Sequence, residues 1–288
     1  MKAVYRHELA SCFTNMTIYV FSAFLLLFTG IYVLICNLNG MSPNFEYVLE
    51  GISFVFMITV PILTMRSLAE ERRQRTDQLL YSLPLSMTKV VLGKYTALLT
   101  AFAMPIVVMA VYPLILCSFG NVWLPAAYGN LIAFYFLGAA LIAIGIFVSS
   151  VTENQAIAAG LCFVVMLVNY FMTPLAGYIP NSAVASLLAF TALVVVAAVV
   201  VWLMTKSGIA ALLAGFVLQA ALLIWYILDT TGFEGLFASI ISKLSLYDRF
   251  YNFVDGIFDL RTITYYITVI AIFIFLSIQS MEKRRWSE

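Results

Sequence analysis

The residues with the types and spacing to do something specific are gathered in "AEERRQRTDQLLYSLPLSMTKVVLGKY", residues 69 to 95 of a chain in which only 10% of residues are charged. Glu70, Glu71, Arg72, Arg73 and Arg75 read as a solvated charge cluster. Thr76 and Asp77 then open a helix, a hydroxyl N-cap followed by a carboxylate near the positive end of the macrodipole. Leu79, Leu80 and Leu83 supply an apolar edge before Pro84 ends the turn. A short amphipathic helix of this kind has two uses: a lipid-facing anchor, or a knob on which a soluble partner docks.

Catalytic constellations are missing. No G-x-x-x-x-G-K-[ST] loop occurs, so P-loop binding of ATP is not expected in this chain. His7 is the one histidine, which argues against Ser/His proteolysis and H-E-x-x-H metal chemistry. Cys12, Cys36, Cys117 and Cys162 are scattered, with neither zinc-ligand spacing nor a disulfide framework. Neither an enzyme nor a bound cofactor or metal is expected. A net charge of +1 offers no field for nucleic acid.

The elements that must position the charged stretch are membrane spans. The chain is 64% hydrophobic with a mean hydropathy of +1.03, far above the roughly 45–50% apolar content of soluble domains. Crossing hydrocarbon takes about 20 apolar residues in a helix, because every backbone group must bond within its own segment. Such runs fall at about 17–37, 48–66, 95–118, 126–150, 155–175, 183–205, 208–228 and 263–281. The expectation is an all-α polytopic membrane protein of about eight transmembrane helices. The sixth and seventh runs are separated only by "TKSG", which a re-entrant pair also fits. Residues 1–16, whose apolar continuation has no small-residue cleavage site, read as a retained first segment.

Lys and Arg concentrate in cytoplasmic loops. With eight spans, Lys2 and Arg6, the cations of residues 66 to 94, Lys206, and Lys283 to Arg285 all fall on one side, whereas "NLNGMSPNFEY" and "SFGNVWLP" contain none. Both termini are therefore expected in the cytoplasm, with 67–94 as the largest cytoplasmic loop and 282–288 as a cytoplasmic tail. Outside, 229–262 holds two amphipathic patterns. Phe233, Leu236, Phe237, Ile240, Ile241 and Leu244 repeat at helical spacing, as do Tyr247, Phe250, Tyr251, Val254, Ile257 and Phe258. Helices lying on the outer leaflet and a gate over a translocation path both fit.

The spans contain essentially no carboxylate or histidine, the groups ion-coupled transporters keep there. Asn169 and Gln219 are the notable polar residues within them, suited to helix-to-helix hydrogen bonding. A transporter of this composition draws its energy from elsewhere. The alternative, a secondary transporter or channel without an ATPase partner, would need coupling charges or a polar pore.

Residues 69–95 resemble the loop after the second span of type 2 ABC transporter permeases, where acidic and basic residues, a Thr, paired leucines, a Pro and a Gly-Lys recur. "SSVTENQAIAAG", 149 to 160, resembles that family's turn between its fourth and fifth spans. The start "MKAVYRHELASCF" and "LSLYDRFYNFVDGIFDLRTITYY" resemble more narrowly the gliding-motility-associated branch. Arg75, Gln78 and Met16 depart from the family pattern, which more often has Gly, an acidic residue and Pro there.

The resemblance implies a single permease domain, a six-span core with 183–229 as an added hairpin. Glu70, Glu71, Arg72, Thr76, Leu79, Leu80 and Pro84 would belong to a coupling helix seated in a separate ABC ATPase subunit, where ATP and Mg would bind. Thr152, Glu153 and Asn154 would form a second, smaller contact, and Lys2, Arg6 and Glu8 would lie on an entry helix along the inner face. Phe233, Leu236, Phe237, Ile240, Tyr247, Phe250 and Phe258 would match extracytoplasmic gate helices. The other implied partners are a second permease subunit and membrane lipids, and the implied direction is export across the cell membrane.

Overall fold

The computed structural model describes residues 2–73, 86–205, 208–254 and 259–285. These are helical, with no strand among the described residues. In chain order the helices are α1 (Lys2–Thr14), α2 (Thr17–Asn39), α3 (Glu46–Arg73), α4 (Met87–Leu116), α5 (Leu124–Val151), α6 (Gln155–Tyr178), α7 (Ala183–Thr205), α8 (Gly208–Leu228), α9 (Leu236–Leu244), α10 (Leu246–Val254) and α11 (Leu260–Arg285). Two compact units divide the chain: Met1–Tyr170 with Arg249–Glu288, and Phe171–Asp248.

Six helices among the described residues are long and apolar enough to cross a membrane: α2 to α6 and Leu260–Arg284. The count becomes seven if Gly215–Leu228 and Thr231–Leu244, bent by 116°, form one span. Eight were expected. The difference lies in the 183–228 hairpin, which does form two helices, of 23 and 21 residues, packed along each other. Elsewhere the helices outrun the apolar stretches: α3 continues to Arg73 and α4 begins at Met87, eight residues before the apolar run proper. A helix need not stop where hydrophobicity does, provided its charged side chains find partners.

In the first unit α5 is the central helix, with α3, α4 and α11 packed on it. It is apolar on every side, the pattern of a helix enclosed by others. Small residues let its neighbours approach: Gly138 lies under the Phe102 ring and Gly145 against the Thr64 side chain, with no room for a Cβ at either. Aromatic rings fill the centre. Phe56 and Phe134 stand 4.5 Å apart, Phe102 stacks on Tyr135 at 5.4 Å, and Phe21 meets Phe102 edge-on at 5.8 Å. Helix α1 lies along α4, where Tyr5 Oη and Thr100 Oγ1 are 3.1 Å apart.

The second unit is built on the α7/α8 hairpin. Gln219 Nε2 donates to Thr191 Oγ1 at 3.1 Å, and that hydroxyl donates to the Leu187 carbonyl at 2.8 Å. After α8, Asp229 Oδ1 accepts from Gly232 N–H and Thr231 Oγ1, both at 2.9 Å, and these bonds hold its carboxyl below the usual range. Gly235 then adopts φ 67°, the left-handed region open to glycine, and α9 starts behind it.

Candidate functional site

The described parts of the charged stretch, 69–73 and 86–95, belong to a bonded structure whose centre is Lys94. This residue sits two turns into α4, with its side chain only 2% exposed. A lysine ammonium has three N–H donors and no acceptor. Here Nζ donates to Glu71 Oε1 at 2.7 Å, to the Ser67 carbonyl at 2.7 Å and to Glu8 Oε2 at 3.0 Å. Those acceptors lie on α3, on its turn, and on α1. The desolvation cost of burying a charge is offset only when such partners are present. Cys12 lies one turn along α1 from Glu8; burial, reinforced by the Glu8 carboxylate, pushes its thiol up to about 11.

The approach of α3 to this point depends on α5. Between Met65 and Leu68 the α3 backbone passes through turns, which would leave amides without intrahelical acceptors. Ser149 Oγ accepts from Leu68 N–H at 3.2 Å and Ala69 N–H at 3.0 Å, so a hydroxyl from α5 caps the last turns of α3. Arg72, 8% exposed, donates from Nη1 to the Thr152 carbonyl at 3.2 Å. The 69–73 segment is thus tied to the turn that follows α5.

That turn, Thr152 to Asn154, has its own local logic. Thr152 leaves the helix with φ −98° and ψ 152°, and Asn154 Oδ1 accepts the Ala156 N–H at 2.9 Å as the N-cap of α6. Arg284, near the end of α11, donates to the Val151 carbonyl at 2.7 Å and to Glu153 Oε1 at 3.1 Å. Ser280 Oγ adds a bond to the Ser150 carbonyl at 3.2 Å. A cation at a helix C-terminus satisfies carbonyls that the helix cannot. Five helices, α1, α3, α4, α5 and α11, are therefore linked at one end of the first unit.

Two sequence expectations change here. The charge cluster is not uniformly solvated: Arg72 is buried and Glu71 is three-quarters covered on Lys94, while Arg73 is exposed. Glu70 stands 4.0 Å from Arg66, one turn back, at the surface. Of the other residues singled out, Thr76, Leu79, Leu80, Pro84 and Phe258 lie outside the described residues. Lys94 and Ser149 were missed as structural residues, since one reads as a positive-inside loop cation and the other as a small residue near a span end.

The second correction concerns Phe233. It is not on a helix face with Leu236 and Phe237 but in a 3-10 turn, Thr231–Phe233, because Gly235 interrupts the helix. Phe233 is fully buried against Trp225 at 5.2 Å, Tyr226 at 5.5 Å and Phe190 at 6.1 Å. Phe237 also meets Phe190, at 5.1 Å, whereas Ile240 is exposed. On α10, Tyr247 and Phe250 are buried. Phe250 packs on Phe134 of the α5 cluster at 5.7 Å, and Tyr251 Oη lies 3.4 Å from Ser53 Oγ of α3. Arg249 covers the Tyr265 ring of α11 at 3.9 Å, a cation–π contact.

Among curated proteins no relative matches the chain. A family model described as ABC-2 family transporter protein matches residues 42–188, just over half of the 288, including α3, Lys94, Ser149 and the 152–154 turn. Membrane subunits of that family are not themselves catalytic and generally work with an ABC ATPase. With six apolar spans among the described residues and a family match that runs over four of them, this multi-pass membrane protein belongs to the ABC-2 transporter family.

Proposed function

We propose that this chain is the permease subunit of an ATP-driven exporter, of the branch associated with gliding motility, working as one of two permeases beside two ATPase subunits. ATP draws the ATPases together, and the coupling segments move with them. The spans then switch access, because the two arrangements differ in affinity for nucleotide-bound ATPase. The observation that carries the reading is the linkage of 69–73 and 152–154 through Arg72, Ser149 and Lys94 within the region of family similarity. A partner pushing on either segment pushes on α1, α3, α4, α5 and α11 together.

In this reading Thr76, Leu79, Leu80 and Pro84 form the seat, with Glu70 at its edge and Glu71 and Arg72 holding it to the spans. Thr152, Glu153 and Asn154 form the second contact; Glu153 is 77% exposed on its side chain. Leu236, Phe237, Ile240, Tyr247 and Phe250 belong to extracytoplasmic gate helices, with Phe233 buried ahead of the first of them. Ile157, Leu161, Val164 and Val168 form an exposed stripe on α6 for lipid or the second permease.

The α7/α8 hairpin crosses the membrane as an added pair, which restores eight spans. At about 1.5 Å per residue its helices reach roughly 35 and 32 Å, enough for hydrocarbon about 30 Å thick. Adding a hairpin leaves parity unchanged, so both termini are cytoplasmic with six spans or with eight.

The test is to tag the carboxyl terminus, extract the chain in mild detergent from its native cell and identify what copurifies by mass spectrometry. A stoichiometric P-loop ATPase is expected, and Leu79→Asp should reduce its recovery at least about tenfold, as charge placed in a buried interface does. Reproducible absence of an ATPase, with transport driven by an ion gradient, overturns the reading.

A further inference from the structure

We propose that Lys94 is a positioning residue, a buried ionic pin that makes α1 and the 69–73 segment a single lever mounted on α4. The geometry is specific. One ammonium takes its three acceptors from α1, from the turn of α3 and from the last turn of α3, over sequence separations of 86, 27 and 23 residues. With Lys94 in place, Glu8 and Glu71 are held by the same nitrogen; without it, Glu8 loses that cation in a largely covered site.

Tyr5 and Thr100 meet at the surface. Helix α1 packs along α4, and its tie to the 69–73 segment passes through the Lys94 ammonium. This inference rests on the permease reading for its function, but the pin itself is testable without it.

Cys12 is a built-in reporter, because alkylation needs the thiolate and burial beside Glu8 suppresses that form; Lys94 partly opposes this, so a faster rate after its removal reports release of α1 and not its lost charge. Release of α1 returns the thiol toward about 8.5 and exposes it. Cys162, buried beside Thr64 on α3, reports whether the core stays closed. The full chain in detergent is treated with N-ethylmaleimide, and each cysteine is followed by peptide mass spectrometry.

Lys94→Met is expected to raise the Cys12 rate at least about tenfold with Cys162 still protected, since Glu8 then loses its ammonium partner in a largely covered site. Lys94→Arg should stay within about threefold of the parent, and adding Glu8→Gln to Lys94→Met should recover much of the protection by removing the covered carboxylate that has lost its cation. A purely steric role for Lys94 would not produce that recovery. An unchanged Cys12 rate in Lys94→Met with Cys162 protected overturns the pin. If Cys162 opens as well, Glu8→Gln alone is read; it keeps Lys94 on Glu71, and an unchanged Cys12 rate there overturns the pin too.

For the lever, the complex recovered through the tagged chain is assayed for ATP hydrolysis. Lys94→Met should retain the ATPase subunit yet hydrolyse ATP at least about fivefold more slowly, with Lys94→Arg restoring the rate. Normal hydrolysis by the Lys94→Met complex overturns the lever. If the parent chain recovers no ATPase, the permease reading fails, whereas the Cys12 result still decides the pin.

Discussion

The charged end of the first unit and the α7/α8 hairpin of the second join helices by different means. At the charged end, Lys94 reaches Glu8 across 86 positions, Arg72 reaches Thr152 across 80, and Arg284 reaches Glu153 across 131. In the hairpin, Gln219 reaches Thr191 across 28 positions through one neutral hydrogen bond. Bonds of the first kind fix segments far apart in the chain at a shared point, so displacement of one is felt by all. The second kind holds together two helices that are already neighbours in sequence.

The comparison is broken most sharply at Ser149. Ser149→Ala removes the acceptor for two amides at the α3 turn without adding bulk, and each orphaned buried N–H costs about 1–3 kcal/mol. A clear fall in Tm is expected, followed in detergent by the reactivity of the buried Cys162 thiol. A Tm equal to the parent's would mean that water or another group replaces the hydroxyl and that α5 does not set the α3 turn.

Packing at the same end is tested by Gly145→Val, which would drive methyl groups into Thr64. Overpacking of this kind costs about 1–3 kcal/mol, less than Ser149→Ala if α3 shifts to relieve it. The Tm should fall, and Cys162, which lies 3.8 Å from Thr64 Oγ1, should react faster with maleimide than in the parent chain. Unaltered protection of Cys162 would refute close α3/α5 packing there.

The smallest effect is expected in the hairpin. Gln219→Leu removes an interhelical hydrogen bond of the sort worth about 0.6 kcal/mol in membrane proteins. The Tm should change little, and the copurifying ATPase should be unaffected. A loss as large as that of Ser149→Ala would show that the hairpin carries long-range connections of its own, and the contrast between the two regions would collapse.

Much of this was legible from composition. The spans α2 to α6 and α11 were found because hydrophobicity is a sum over neighbouring residues, and the family resemblance around 69–95 and 149–160 agrees with the match over 42–188. Helix ends were less legible. Residues 87–94 contain two lysines and read as loop, yet they are helix, because Lys94 is satisfied by groups from distant segments. Phe233 fits a helical repeat by spacing, but a single backbone angle at Gly235 takes it off that face.

By itself, then, the sequence determined that this is a multi-pass helical membrane protein of the ABC-2 transporter family, since both conclusions rest on local runs and motifs. Tertiary structure alone decided which charges are structural. Glu71 and Arg72 are adjacent to Glu70 and Arg73 and chemically the same as them, yet one pair is turned inward and the other lies nearer water. The physical reason is that the cost of burying a charge depends on what stands around it, and here that is Lys94 for Glu71 and the Thr152 carbonyl for Arg72. Partners so far along the chain leave no trace in the spacing of the residues they hold.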